Sequence, residues 1–414
     1  MSEYPFFQSI NFPRWKEKLL FWAAHRYPFL ALTQGNNHSY PNNPFDLLFF
    51  AGKNELTAEE VWEKQSFKVG IIGYDFKNQV ERLESNNPTF FDLPDLCFFE
   101  PELIFKLDKN GIFSSRKIDV QTLTEIEAQE IPLKQSIQCA IFPQISKEGY
   151  IRSIQSIQNE ILEGNTYEVN FCQAYSGEFE NWNPIAAFLK LNELSKMPFA
   201  ALFKAKNKWL ISASPERFLK KTGSKLIAQP IKGTIKRGYT PEEDAINRDN
   251  LLASEKERAE NLMITDLMRN DLARVSRTGS VKVEELFGIY PLPRVLQMIS
   301  TVSSELNPDT SLKEIIQATF PMGSMTGAPK ISTMKIIERE ESFKRGWFSG
   351  AFGWVDEQGD FDFSVVIRSI IADLVAKKLY FGVGSAITID ASAEQEYEEC
   401  ELKAQALFEL LRGN

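Results

Sequence analysis

Three strand-like runs follow one another near the C-terminus with no helix between them: "WFSGAFGWVD", "FDFSVVIRSIIAD" and "LYFGVGSAITID". This order constrains the fold more than any other feature of the chain. Parallel neighbours need a crossover of a dozen residues or more, usually helical, so strands in immediate succession pair antiparallel. Earlier runs repeat the grouping. "TYEVNFCQAYSGEF", "KWLISAS", "KLIAQPIKGT" and "VLQMISTVSSEL" predict strands, with "PERFLKKTGS" as an excursion. "KEGYIRSIQSIQNEILEG" predicts a helix, because Ile151, Ile154, Ile157, Ile161 and Leu162 form one stripe and Gly164 suits a C-terminal cap. One long helical stretch is predicted from about Pro241 through "ERAENLMITDLMRNDLARV", and another helix closes the chain at "AEQEYEECELKAQALFELLR". Grouped strands and grouped helices give the α+β class with large antiparallel sheets. Two parts are expected: an aromatic-rich part over residues 1–142 without a catalytic constellation, and a core over 143–414 that holds the motifs.

Composition removes several function classes. The net charge of -9 and the lack of a dense Lys/Arg run disfavour a nucleic-acid partner. The longest apolar run, "LLFFAG", is too short to cross a bilayer, and "MSEYPFFQSINFPRW" has no leader character, so a cytoplasmic location is expected. Cys97, Cys139, Cys172 and Cys400 lie far apart without metal-type spacing and are expected to be free thiols. The two histidines, His25 and His38, are both near the start. Chemistry in the C-terminal half must therefore use carboxylates, lysine or a bound metal.

Those groups are present. Glu396, Glu399 and Lys403 are spaced i, i+3, i+7 and share a face of the last helix. Glu257 and Glu260 form a second acidic pair, with Glu260 beside the apolar Leu262-Met263-Ile264. Carboxylates from two helices are a ligand type that Mg²⁺ takes, although a solvated charged face has the same spacing. "GSMTGAPK" offers Ser324, Thr326 and backbone amides ahead of a helix, either as an anion site or as an ordinary cap. Arg368 falls inside an apolar strand and should meet a carboxylate of the protein or of a ligand. Lys232 stands in the tight segment "PIKGT", and Glu216 in "SASPERF". No phosphate-binding glycine motif accompanies them. The residues together suggest a cleft for a small polycarboxylate.

At these positions the chain resembles the chorismate-utilising enzymes, which include anthranilate synthase component I, the isochorismate and salicylate synthases, and the aminodeoxychorismate-forming branch. The matching blocks run in family order: "SASPERF", "PIKGTIKRG", "ERAENLMITDLMRNDLARV", "GSMTGAPK", "GAFGWVD", "VVIRS" and "SAEQEYEECELKA". The resemblance implies a sandwich of large antiparallel sheets with helices outside. It also implies chorismate as substrate, Mg²⁺ held by Glu260 and Glu399, and Glu396 approaching the metal. Gly233, Thr234, Ser324, Thr326, Gly327, Arg368, Gly384, Ser385, Ala386 and Lys403 match positions that bind substrate.

Lys232 separates the branches. Anthranilate and isochorismate formers typically carry alanine there, whereas lysine is similar to the aminodeoxychorismate branch. The resemblance to that branch implies that the Lys232 amine attacks C2 of chorismate, that Glu216 protonates the departing C4 hydroxyl, and that ammonia then adds at C4. A lysine in a water-poor cleft is expected to have its ammonium form disfavoured, which would supply a neutral nucleophile. Glu168, in "TYEVNF", replaces the water-activating lysine of isochorismate formers. Gln297 stands where most of the family has histidine, and Phe348 where anthranilate synthase has tyrosine. The chain has no Gly-x-Cys nucleophile elbow and no histidine beyond His38, so ammonia is expected from solution or from a separate glutamine amidotransferase subunit. Anthranilate synthase component I is the alternative reading. A non-catalytic regulatory protein on the same fold is a remote one, against which the retained acid, lysine and metal-type set argues.

Overall fold

The computed structural model describes residues 6–10, 12–108, 111–114, 117–132 and 136–412. Residues 1–5, where the reading of a leader-free start begins, lie outside the described residues. Two antiparallel sheets dominate. The larger runs Phe6–Ser9, Gly111–Ser114, Leu103–Leu107, Leu48–Gly52, Phe29–Gln34, Phe199–Ala205, Lys208–Ser214, Ser369–Asp373, Lys378–Ile387, Glu168–Glu178 and Gly327–Ala328. The smaller runs Ile231–Lys236, Val295–Glu305, Lys225–Gln229, Arg217–Thr222, Phe361–Val365, Ala351–Val355, Lys68–Ile72, Leu96–Glu100 and Asn54–Glu55. Strands from the first 142 residues and from the rest share both sheets.

Strand alternation sets the layers. In Phe199–Ala205, Phe199, Ala201 and Phe203 join the core that also holds Phe98, Leu219 and Phe363 of the smaller sheet. Ala200 and Leu202 point the other way, into a second core with Ile154, Ile157, Leu407 and Leu410 from helices. The larger sheet is thus apolar on both faces, which is why its strands read as nearly continuous hydrophobic runs. Each fully buried Phe or Leu contributes about 1.5–3 kcal/mol to holding the layers together.

The helices include Lys147–Leu162, Glu255–Ala273, Lys330–Glu340 and Ala393–Arg412. In the first, Ile154 and Ile157 are buried as the stripe requires and Ile161 packs against the second core, but Leu162, the last helical residue, is exposed. The stretch expected as one helix from Pro241 is two, Pro241–Ala253 and Glu255–Ala273. Ser254 breaks it: its backbone is extended and its hydroxyl accepts from the Glu257 amide at 3.3 Å, capping the second helix. The expected excursion "PERFLKKTGS" contains a strand of the smaller sheet, Arg217–Thr222. Likewise "FDFSVVIRSIIAD" is two strands in different sheets, Phe361–Val365 and Ser369–Asp373. Arg368 is therefore not inside a strand. It sits at the bend between them with a left-handed φ of 50°.

All four cysteines are free and buried. Among the described residues no helix is long and apolar enough to cross a membrane.

Candidate active site

The chain passes from the larger sheet to the smaller at Pro215-Glu216 and returns at Val366–Arg368. The two crossings are laced together: the Val365 amide donates to the Glu216 carbonyl at 3.0 Å and the Ala213 amide to the Arg368 carbonyl at 3.1 Å. Glu216 and Arg368 consequently come together where the sheets part. Next to Glu216, Arg217 is fully buried and anchors the crossing. Its Nε and Nη2 donate to the two Asp362 oxygens at 2.8 and 3.0 Å, and Pro41, Asn43 and Gln229 accept its remaining hydrogens.

Lys232 reaches the same cleft through a bulge. Ile231 pairs with Ile299 and Thr234 with Gln297, so Lys232 and Gly233 together oppose Met298. A bulge turns one side chain away from the regular alternation. Gly233 makes it possible: its φ is 98°, and a Cβ there would lie 3.1 Å from both Glu257 Oε2 and Met298 Cβ. Asn261 Nδ2 donates to the Lys232 carbonyl at 3.1 Å and pins the bulge to the helix Glu255–Ala273. Lys232 Nζ donates to Glu168 Oε1 at 2.8 Å. Glu168 is fully buried, and its Oε2 has no hydrogen-bond partner.

The electrostatics are mixed. Glu216 is pushed up to about 7 by burial, against a hydrogen bond from Ser324 and the charge of Lys232. Glu260 is also pushed up to about 7 by burial, with Lys232 opposing and Glu168 and Glu257 reinforcing. Arg368 is lowered to about 10 by burial, against the charge of Glu216. Lys232 departs from expectation. Burial pulls it down, but Glu168, Glu260 and Glu216 outweigh burial and raise it above the ordinary lysine value. The ammonium form is therefore favoured, contrary to the expectation of a neutral amine, because acids from a strand, a helix and the sheet crossing surround Lys232.

Two helices bring up the acids that could hold a metal. Glu260 lies on Glu255–Ala273, and Glu396 and Glu399 lie on Ala393–Arg412. Lys256 Nζ stands between the helices, 3.2 Å from Glu396 Oε1 and 3.9 Å from Glu260 Oε1. Glu260 Oε1 is buried without a hydrogen-bond partner. Lys403 donates to the Gly384 carbonyl at 3.0 Å and pairs with Glu399 at 2.7 Å. Burial opposes ionisation of Glu399, yet Lys403, Lys256 and Lys232 hold its carboxyl below the ordinary range. Among the described residues no three histidines, cysteines or acids converge tightly enough to grip a metal alone.

The remaining expected residues divide. Ser324 faces Glu216. Thr326 is fully buried and its hydroxyl donates to the Met322 and Gly323 carbonyls at 3.2 and 3.3 Å, so its side chain shapes the turn. Gly327 pairs with Val169 and Thr234 with Gln297. Ser385 is buried and its hydroxyl meets Tyr150 Oη at 3.0 Å, which leaves only its backbone for a ligand. A Cβ at Gly384 would lie 2.5 Å from Cys172 Sγ, so this glycine serves strand packing. Ala386, on the strand Lys378–Ile387, pairs with Asn170 of the neighbouring strand Glu168–Glu178. Gln297 and Phe348 are both buried, and Gln297 Oε1 has no partner.

The sequence did not single out Lys256, although its i, i+4 relation to Glu260 was visible. Nor did it single out Arg345, which is buried against Glu341 and donates to the carbonyls of Met325 at 2.7 Å and Asn170 at 2.9 Å. That pair fixes the Gly323–Met325 turn against the strand bearing Glu168.

Comparison with known proteins bears on the family and the fold. The chain is 34% identical over 352 residues to aminodeoxychorismate synthase component 1 of Klebsiella aerogenes, covering 83% of this chain and 77% of the relative. It is 36% identical over 375 residues to the chloroplastic aminodeoxychorismate synthase of Arabidopsis thaliana, covering 82% of this chain but 39% of that longer protein. Anthranilate synthase component I of Streptococcus pneumoniae shares the fold with a TM-score of 0.74 at 24% identity, over 91% of both chains. The menaquinone-specific isochorismate synthase of Escherichia coli gives a TM-score of 0.75 at 18% identity, covering 95% of this chain and 91% of that one. The profile described as chorismate binding enzyme matches residues 27–409, and the chain belongs to that family.

Proposed function

We propose that this chain converts chorismate and ammonia to 4-amino-4-deoxychorismate and water, as the chorismate-handling component of an aminodeoxychorismate synthase. The observation that carries the reading is Lys232, turned by its bulge into the cleft that also holds Glu216. The lysine nitrogen bonds to C2, both conjugated ring double bonds shift, and the C4–O bond breaks. Glu216, near half-protonated at neutral pH, gives its proton to the leaving hydroxyl, which departs as water. Ammonia then bonds to C4 as the C2–N bond breaks, and Glu216 recovers a proton from the new ammonium group. Arg368 has no protein carboxylate within ion-pair distance among the described residues and is free to take one from the substrate.

Glu260 and Glu399, with Glu396 behind them, would hold Mg²⁺. The fit rests on the orphaned Glu260 oxygen and on Lys256, a cation already standing between the acids of two helices. When bound, the ion neutralises and orients the ring carboxylate. The names of several bacterial relatives include "component 1". They support a separate glutamine amidotransferase as ammonia source.

Mass analysis of the product from chorismate, Mg²⁺ and ammonium salt tests the reading. A product that retains the enolpyruvyl group is expected. Anthranilate, which lacks it, would assign the chain to the anthranilate branch instead. The chain alone should use ammonium and not glutamine.

A further inference from the structure

The resting charge of Lys232 leaves a step unfilled: an ammonium cannot attack a carbon, so a base must first remove its proton. We propose that Glu168 is this base, accepting a proton from Lys232 to free the amine and returning it when the lysine is released. The proposal rests on Lys232 being the nucleophile.

Geometry selects Glu168. Several charged groups surround Lys232: Glu257 and Glu260 from the helix Glu255–Ala273, Glu216 from the sheet crossing, and Glu399 and Lys403 from the last helix. Among the described residues only the Glu168 carboxylate hydrogen-bonds to Lys232 Nζ, at 2.8 Å. Glu168 is excluded from water, and its backbone is fixed by pairing with Ala328 and by Thr166 Oγ1, which donates to its carbonyl at 3.1 Å. Its Oε2 is buried and unpartnered. A group meant only to hold a cation would be better served by a carboxylate with both oxygens satisfied. One with a vacant oxygen loses little when it becomes neutral.

The protons balance. The cycle starts with Lys232 as ammonium, Glu168 ionised and Glu216 protonated. Proton transfer gives neutral Lys232 and protonated Glu168. Attack on C2 leaves a positively charged secondary amine on the lysine, ionised Glu216 and water. Addition of ammonia at C4 expels neutral Lys232, which regains its proton from Glu168, and the product ammonium returns a proton to Glu216.

The test is Glu168→Gln in the full chain with Mg²⁺, mixed with chorismate without ammonia and quenched for intact-protein mass. The variant keeps the size and an acceptor for Lys232 but cannot take its proton, while Glu260 and Glu216 still favour the ammonium form. Adduct formation at pH 7 should fall about 10²–10⁴-fold, while the KM for chorismate in the complete reaction changes little. The deficit relative to the parent should shrink about tenfold per pH unit between pH 7 and 9, because the amine then loses its proton to solvent. Taking the ratio to the parent removes the titration of Glu216, which both share. Adduct formation as fast as the parent's, or a deficit independent of pH, overturns Glu168 as base and leaves Lys232 as nucleophile. No adduct in the parent together with an active Lys232→Arg variant removes the nucleophile, and the base with it. If the glutamine variant fails to fold, Glu168→Asp decides. It keeps a proton acceptor, so its rate relative to the parent should not vary with pH, and a tenfold rise per unit would overturn the proposal.

Discussion

Among the described residues Arg217 and Arg345 are fully buried and Arg368 is half-buried at the sheet crossing, and the three are treated differently. Arg217 pairs with both oxygens of Asp362 and with carbonyls of the 41–43 loop. Arg345 pairs with Glu341 and with the carbonyls of Met325 and Asn170. Arg368 finds only Met197 Sδ at 3.9 Å and carries a left-handed backbone that costs about 1–2 kcal/mol. The first two are saturated and hold elements together. The third is left short of partners where the sheets part, beside an acid raised to about 7. The same contrast marks the acids: the Glu341 oxygens accept from Arg345 and the Cys172 amide, whereas Glu168 and Glu260 each keep an orphaned oxygen. Saturated buried charge builds the frame here, and unsaturated buried charge marks the cleft.

Breaking the cleft side should have the largest effect on turnover. Lys232→Ala should lower kcat by about 10³-fold or more, and Lys232→Arg should not restore it, because a guanidinium stays protonated. Substantial activity of the arginine variant, with no mass adduct on the peptide containing "PIKGT", would leave Lys232 as a charge only. Glu260→Ala or Glu399→Ala should also abolish turnover with the fold retained, and excess EDTA should do so in the parent. Full activity in EDTA would end the metal assignment.

On the frame side, Asp362→Ala should act through stability. It strands a buried guanidinium and should destabilise the fold by about 3–5 kcal/mol, read by denaturant unfolding. A variant of normal stability and impaired turnover would remove the distinction between Arg217 and Arg368. Arg368→Gln is the matched opposite. Losing a charged contact to substrate should raise the KM for chorismate by about 10–100-fold with little loss of stability.

The smallest effect sharpens the comparison by pH. Glu216 and Glu260 have folded-state values near 7, above the ordinary 4.5. The folded chain therefore binds more protons than the unfolded one between these values. The stability they contribute is present below about 4.5 and is lost as pH rises through about 7. Without metal, Glu260→Gln should raise the melting temperature at pH 8 by a few degrees and leave it nearly unchanged at pH 4. A fall at pH 8 would show that the Glu260 charge is well paired.

Much of this molecule was legible in the chain itself. Successive strand runs without helices required antiparallel sheets, and the period of the last helix placed Ala404, Leu407 and Leu410 inward and Glu399 at its edge. The ordered blocks singled out Lys232, Glu216, Glu260 and Arg368 as candidates, because each motif is local and its residue types are chemically restrictive. Alternation tells which face a side chain takes but not which sheet its strand joins. Whether "FDFSVVIRSIIAD" was one strand or two was therefore settled only by long-range pairing, and with it the position of Arg368 at a crossing. The charge state of Lys232 was equally out of reach. It is a sum over acids from a strand, a helix and a sheet crossing, and Coulomb energy depends on separations in space that spacing along the chain does not contain.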